Sequence, residues 1–213
     1  NVSLDTLDPH KFAQLTRRPS SYLDRVLRTI ESASTILDNV KINCVVQRDV
    51  NDSDVADLVQ LTNRYNNIKV RFIEYMPFAD NGWQYDQCVP YQELLERLYK
   101  DGVHLEFVES LDPHDTTKWY ATTTNDNTPN VGFITSMSSH FCGTCNRLRI
   151  TADGQLKVCL FDGSNNASFS LRDALRNGDD LTPLIYKAVQ SKKASLGGHP
   201  NPTKLGQASS SNR

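Results

Sequence analysis

The sequence lacks both a long apolar run and an excess of positive charge. No stretch of about 18 consecutive apolar residues is present, which excludes a conventional membrane-spanning helix. The 23 lysines and arginines are outnumbered by 25 aspartates and glutamates, so the formal net charge is −2. Binding nucleic acid through a broad basic field requires clustered excess positive charge. We therefore expect neither a membrane nor a nucleic-acid partner, while a small anionic ligand held by a few local arginines is compatible with the composition.

Cysteines are few, and their odd number does not suggest a disulfide framework. Three of them fall within one short window, a distribution that favours a metal site in a reducing compartment. The chain begins with Asn1 rather than Met and shows no targeting segment, so we expect it to start inside a fold and leave the compartment open between cytoplasm and mitochondrial matrix. The five cysteines are Cys44, Cys88, Cys142, Cys145 and Cys159.

The first hundred residues alternate short apolar runs with amphipathic helical patterns. This alternation is typical of βαβ units and predicts an α/β fold with a parallel sheet, whose functional residues gather at the carboxyl ends of the strands. We expect the polar residues 51–53 to cap a helix. The predicted strands are 2–4, 40–47, 70–75 and 105–108, and the predicted helices are 21–33 and 91–100.

The character of the sequence changes after about Leu111, where short strand-like pieces replace the βα alternation. Residues 118–122, 131–135, 148–151 and 156–160 read as strands, and the Asp153-Gly154 pair between the last two predicts a hairpin. Helices follow at 171–176 and 181–192. We therefore predict one domain over 1–110, a second over 111–193 and a flexible tail or linker over 194–213, which is rich in Gly, Pro, Ser and Asn.

Cys142 and Cys145 form a C-x2-C motif, and thirteen residues separate Cys145 from Cys159. The short gap lets two thiolates reach one metal centre, and the predicted hairpin would return Cys159 to the same place. Two interpretations stay open. One is a structural zinc ion completed by His140; the other is an iron–sulfur cubane with one iron left open for a substrate.

Arg147 and Arg149 follow the cysteine motif directly and stand two residues apart on a predicted strand. Their side chains would therefore share one face of that strand, while Leu148 would point into the core. Guanidinium groups grip phosphate oxygens in bidentate fashion. The pair predicts an anion clamp beside the metal site, although a solvated strand face is an equally simple interpretation.

Four motifs in order resemble the GTP 3′,8-cyclases, the molybdenum-cofactor biosynthesis protein A family. The clearest spans residues 141–154 (FCGTCNRLRITADG) and continues at 159–161 (CLF). The others are residues 1–9 (NVSLDTLDP), 40–43 (VKIN) and 70–78 (VRFIEYMPF). The resemblance covers about residues 1–193. It implies a partial (β/α) radical-SAM barrel followed by a β-containing iron–sulfur cluster domain.

The resemblance also implies the chemistry. In this family a first [4Fe-4S] cluster cleaves S-adenosylmethionine, and the resulting 5′-deoxyadenosyl radical removes the ribose 3′ hydrogen of GTP. The new carbon radical attacks C8 of guanine, giving (8S)-3′,8-cyclo-7,8-dihydroguanosine 5′-triphosphate. A second [4Fe-4S] cluster binds the guanine through its open iron. The implied residues are the cluster ligands Cys142, Cys145 and Cys159, the GTP contacts Lys41, Arg147, Leu148 and Arg149, and the S-adenosylmethionine contacts Ser3 and Met76.

Two further expectations follow from the resemblance. The family's C-x3-C-x2-C motif is absent from this sequence and would precede Asn1, so we expect a fragment that supplies the GTP-binding half and is inactive alone. Expected partners are pyranopterin monophosphate synthase, downstream or fused, and a second copy in a homodimer. No catalytic side chain is predicted. The competing functions are a zinc-stabilised, non-catalytic binding module and a different radical-SAM enzyme with an auxiliary cluster.

Overall fold

The computed structural model describes residues 1–78, 81–123, 128–161, 169–198 and 201. The chain divides into two compact units. The first, which we call the sheet unit, comprises residues 1–76 and 84–139; the second, the cysteine unit, comprises residues 77–83 and 140–213. Across the described ranges, no helix is both long and apolar enough to cross a membrane.

The sheet unit is built on six strands in the order β1-β2-β3-β6-β5-β4. Strands β1, β2, β3 and β6 run parallel, whereas β5 and β4 are added antiparallel at one edge. The sheet is therefore mixed, with a parallel majority, in an α/β unit. The strands are β1 (Val2–Ser3), β2 (Val40–Val46), β3 (Ile68–Glu74), β4 (Leu105–Val108), β5 (Lys118–Thr122) and β6 (Val131–Ile134).

Every second residue of the central strands is apolar, so one face of the sheet is apolar, and helices pack against that face. In β2 and β3 every second residue is buried, including Ile42, Val70 and Phe72. These side chains form one core with apolar residues of the helices, such as Leu94 and Leu98. The helices are α1 (Pro9–Thr16), α2 (Tyr22–Ile36), α3 (Val55–Val59) and α4 (Tyr91–Lys100).

The intervening residues of the strands face the other way and are largely polar. We call this side the polar sheet face and define it by Ser3, Lys41, Asn43, Lys69 and Arg71. Ser3 pairs with Asn43, Lys41 pairs with Lys69, and Asn43 pairs with Arg71. Residues paired across neighbouring strands project to the same side of a sheet. The strand register therefore gathers these five side chains.

A buried carboxylate joins three segments of the sheet unit at the carboxyl end of β3. Glu74, 2% exposed, accepts hydrogen bonds from the backbone N–H groups of Tyr91 (2.9 Å), Met137 (2.7 Å) and Ser138 (2.8 Å). The Ser138 hydroxyl also donates to it. Tyr91 is the first residue of α4, so the negative charge also lies at a helix N-terminus, where it is favoured.

The cysteine unit contains a small antiparallel sheet and two helices. Strands β7 (Arg149–Ile150), β8 (Gln155–Lys157) and β9 (Phe169–Ser170) pair in sequence, followed by α5 (Leu171–Asn177) and α6 (Leu181–Gln190). Leu156, Val158, Phe169 and Ala188 form its core. The turn between β7 and β8 needs a glycine, because Gly154 has φ +81° and a Cβ there would lie 2.6 Å from Arg172 Cβ.

The predicted α/β class and the hairpin at Asp153-Gly154 are confirmed, and two expectations need correction. Strands β4, β5 and β6 join the first sheet, and the two compact units comprise residues 1–76 with 84–139 and residues 77–83 with 140–213; the domain bounds 1–110 and 111–193 stay a prediction. Asn51 does not cap a helix; its buried amide bridges the carbonyls of Asp5 and Val45. Leu148 precedes β7 and is 37% exposed, so it does not enter the core.

The predicted tail lies mostly outside the described residues, which include only 194–198 and 201 of it. Leu196 is buried (2% exposed) and belongs to a short turn, Leu196–Gly198, within the cysteine unit. The flexible character predicted for the tail stays a prediction.

Candidate functional site

Cys142 and Cys145 are brought together by a single tight turn. Cys142–Thr144 forms one turn of 3₁₀ helix, closed by a hydrogen bond from Cys145 N to the Cys142 carbonyl (3.2 Å). The C-x2-C spacing therefore gives a compact loop that holds two half-buried thiols. This is the local geometry in which paired cysteines hold a metal centre.

Lys192, just beyond α6, ties the end of that helix to the cysteine turn. Its ammonium donates to the Cys145 carbonyl (2.7 Å), to the Arg147 carbonyl (3.2 Å) and to the Cys145 sulfur (3.3 Å). One cation therefore fixes the backbone on both sides of Asn146 and contacts the thiol directly. The sequence suggested no role for Lys192.

Cys142 accepts a hydrogen bond from the segment that follows α6. The backbone N–H of Leu196 donates to the Cys142 sulfur at 3.3 Å. This segment also packs closely against Phe161, since a Cβ on Gly197 (φ +63°) would lie 3.1 Å from the Phe161 carbonyl oxygen. N–H groups aimed at cysteine sulfurs stabilise the thiolate form, which is the form that binds metals.

Burial and nearby polar groups have opposite effects on the pKa of Cys145. Burial would raise the pKa of this thiol, but the Arg147 backbone hydrogen bond and the nearby charges of Lys192 and Arg147 outweigh burial and lower it. Cys145 is thus predisposed to the thiolate form. Cys44 and Cys88 differ, because burial raises the pKa of Cys44 well above its ordinary value and that of Cys88 to about 12. Both are buried thiols of the sheet unit.

Arg147, Leu148 and Arg149 follow the turn and are all exposed. Only Arg149 belongs to β7, where it pairs with Lys157. Neither guanidinium forms an ion pair or side-chain hydrogen bond with any described residue. Two exposed arginines within four residues of a cysteine turn can receive an anionic ligand.

Cys159 lies two residues after β8 and is half-buried. Within the described ranges, no three His, Cys, Asp or Glu side chains are grouped closely enough to hold one metal ion. A zinc ion held by Cys142, Cys145, Cys159 and His140 would need its sulfurs about 2.3 Å from a single atom. In a [4Fe-4S] cluster each cysteine binds a different iron, so its sulfurs stand farther apart. Thiolates bind zinc ions and iron–sulfur clusters alike, so the thiols fit either group, and the ligand role of Cys159 stays a prediction.

The remaining predicted site residues, Ser3, Lys41 and Met76, belong to the sheet unit. Ser3 ends β1, and Met76 follows the end of β3 by two residues. Lys41 is the second residue of β2 and lies on the polar sheet face together with Ser3. The structure thus places Ser3 and Lys41 on one side of the sheet, while their roles toward S-adenosylmethionine and GTP stay predictions.

Three other residues on this side were not predicted from the sequence. Arg71 donates to the side-chain oxygens of Asn43 (2.9 Å) and Asn1 (3.1 Å). The Lys69 ammonium lies 5.2 Å from the centre of the Trp119 ring. Period-two alternation in β2 and β3 could have suggested this grouping, but only once the strand register was known.

The chain matches the family model described as Molybdenum Cofactor Synthesis C over residues 68–197. It is 47% identical to molybdenum cofactor biosynthesis protein moc-5 of Caenorhabditis elegans, covering 91% of this chain and 32% of that protein. It is 45% identical to the mitochondrial GTP 3′,8-cyclase of Arabidopsis thaliana, covering 93% of this chain and 50% of that protein. A GTP 3′,8-cyclase of Syntrophomonas wolfei is 36% identical, with 91% and 58% covered. The chain thus spans about a third to somewhat over half of the length of these relatives.

Proposed function

The chain belongs to the molybdenum cofactor synthesis family that includes the GTP 3′,8-cyclases, and on this premise we propose that it supplies the GTP-binding part of such an enzyme. The proposed reaction is the S-adenosylmethionine-dependent radical cyclisation of GTP to (8S)-3′,8-cyclo-7,8-dihydroguanosine 5′-triphosphate. The α/β sheet unit would be part of a radical-SAM barrel, and the cysteine unit would be the cluster domain.

One observation carries this proposal: a turn with two cysteines, both receiving N–H donors, leads directly into two arginines that form no ion pair with any residue the structure describes. The Cys145 sulfur accepts from Lys192 and the Cys142 sulfur accepts from Leu196, and the pKa of Cys145 is lowered, which favours its thiolate form. Arg147 and Arg149 then provide positive charge within a few residues. Thiolate ligands beside an anion clamp suit a metal centre that receives a phosphorylated substrate.

Cys142, Cys145 and Cys159 would hold the cluster, which when bound supplies an iron with an open coordination position for the guanine. Arg147 and Arg149 would contact the nucleotide, with Leu148 between them as an exposed apolar contact. Lys192 would keep the turn rigid, because it fixes two carbonyls that flank Asn146. A site whose groups are already oriented loses little free energy on binding.

In the sheet unit, Lys41 would bind phosphate oxygens of GTP, while Ser3 and Met76 would contact S-adenosylmethionine. Ser3 and Met76 lie at or just beyond the carboxyl ends of β1 and β3, where ligands bind in parallel α/β sheets. A triphosphate carries several negative charges, and cations from separate elements can share them.

Anaerobic reconstitution of the chain with iron and sulfide tests the proposal. We expect about four iron atoms per chain and a broad absorption band near about 400 nm, both lost in Cys142→Ser, Cys145→Ser and Cys159→Ser. Cys88→Ala is the control, because this buried core thiol should not affect iron uptake. Uptake of one zinc ion with no iron would instead support the zinc-stabilised binding module.

GTP binding tests the second half of the proposal. We expect Arg147→Ala and Arg149→Ala each to weaken GTP binding by about tenfold or more, since each removes a charge-assisted phosphate contact. Arg28→Ala, on the exposed side of α2, serves as the matched control. Peptide binding without GTP binding would favour a different radical-SAM enzyme.

A further inference from the structure

We propose that Lys69 is a further phosphate-binding residue, which together with Lys41 contacts the triphosphate of GTP on the polar sheet face. The inference rests on the proposed function, because it takes GTP as the ligand. Lys69 lies in none of the motif positions to which the resemblance assigned a role.

The strand register makes Lys69 the direct neighbour of Lys41. The two residues are paired across the parallel strands β2 and β3, and both are half-buried. Neighbouring strands lie about 4.8 Å apart, and paired residues project to the same side. Both side chains therefore leave the sheet on its polar face from neighbouring positions, and two flexible lysines so placed can contact different phosphate groups of one triphosphate.

The charges of the two lysines are not balanced within the described part of the chain. Burial lowers the pKa of the Lys69 ammonium, the positive charge of Lys41 lowers it further, and Asp115 opposes both effects. Neither lysine forms an ion pair with a described carboxylate. Placing two like charges together in a half-buried position is unfavourable, and a polyanion that contacts both relieves the repulsion.

Trp119 holds the Lys69 ammonium in position. The ammonium lies over the indole ring at 5.2 Å, a cation–π contact. The indole N–H donates to the Asp115 carboxylate at 2.7 Å, which fixes the ring. The ring lies across Gly132, where a Cβ would come within 3.0 Å of it. Asp115 is therefore engaged with the indole, and it also accepts from Thr117 N (2.9 Å).

Equilibrium binding of GTP, GMP and inorganic tripolyphosphate to the 213-residue chain tests the inference. We expect Lys69→Gln to weaken GTP and tripolyphosphate binding by about tenfold and GMP binding by much less, because a single phosphate cannot contact both lysines as a triphosphate can. Lys69→Arg keeps the charge and should restore binding to within about threefold. Lys100→Gln is the control, since Lys100 is exposed at the end of α4. Urea denaturation of each variant verifies that the sheet unit stays folded.

The outcomes separate this inference from the proposed function. If the unaltered chain binds GTP, Arg147→Ala weakens that binding, and Lys69→Gln leaves it unchanged, the role of Lys69 is wrong and the proposed function stands. If Lys69→Arg binds as poorly as Lys69→Gln, the lysine is needed for packing on Trp119 rather than for its charge, and the inference also fails. If the unaltered chain binds no GTP, the proposed function itself is refuted.

Discussion

Replacing Glu74 by Gln should destabilise the sheet unit strongly, although the two side chains have nearly the same shape. One carboxylate oxygen accepts from Tyr91 N and the Ser138 hydroxyl, and the other accepts from Met137 N and Ser138 N. A glutamine has only one acceptor oxygen. If that oxygen serves Met137 and Ser138, the amide NH₂ group faces the backbone N–H of Tyr91, and a buried donor loses its partner.

The magnitude follows from these contacts. An unpaired buried donor costs about 1–3 kcal/mol, and the loss of the negative charge weakens the bonds that remain by about 1 kcal/mol more. We therefore expect Glu74→Gln to lower the free energy of unfolding by about 3 kcal/mol. With a urea m-value of about 2 kcal/mol/M, the unfolding midpoint should fall by about 1.5 M.

The assay is urea denaturation in a Trp83→Phe background, so that Trp119 reports on the sheet unit alone. Glu106→Gln is the matched control, because Glu106 is exposed on β4 and its loss should change stability by less than about 0.5 kcal/mol. An unfolding midpoint for Glu74→Gln that equals that of the control would refute the described role of Glu74.

Three other predictions concern stability. Gly132→Ala should cost about 1–3 kcal/mol in urea denaturation, because the new Cβ would lie 2.4 Å from Thr117 Cγ2; an unchanged midpoint would contradict this packing. Gly154→Ala should destabilise the cysteine unit by a similar ~1–3 kcal/mol, owing to φ +81° and the clash with Arg172, with Trp83 fluorescence as the measure. Hydrogen bonding from Arg48 lowers the pKa of Glu93 to about 2, against an unfolded value of about 4.3. The stability contributed by this carboxylate is therefore present above about pH 5 and lost as the pH falls toward 2, so the stability difference between the parent and Glu93→Gln should shrink over that range. A constant difference from pH 6 to pH 3 would contradict it.

Local patterns predicted much of the secondary structure. Short apolar runs identified β2 and β3, and the helix over 91–100 matches α4 (Tyr91–Lys100) in both bounds. Helix α1 was missed even though its signal is present. Asp8 caps it by accepting from Lys11 N at 2.8 Å, and Pro9 is its first residue.

Strand pairing and side-chain contacts between residues far apart in the sequence could not be predicted from local patterns. The polar stretch before β6 suggested a new domain, yet β5 pairs with β6 and extends the first sheet. Leu148 was expected in the core because a strand was predicted there, but β7 begins only at Arg149. The contacts of Lys192 with Cys145, and of Lys69 with Trp119, join residues 47 and 50 positions apart, and no local pattern indicates such contacts.

The most direct test of the central claim is the electron paramagnetic resonance spectrum of the reduced, reconstituted chain, recorded with and without GTP. If Cys142, Cys145 and Cys159 hold a cluster whose open iron receives guanine beside Arg147 and Arg149, GTP should change the spectrum and inorganic tripolyphosphate should not. A spectrum unaffected by saturating GTP, or a chain that takes up no iron, would contradict the account.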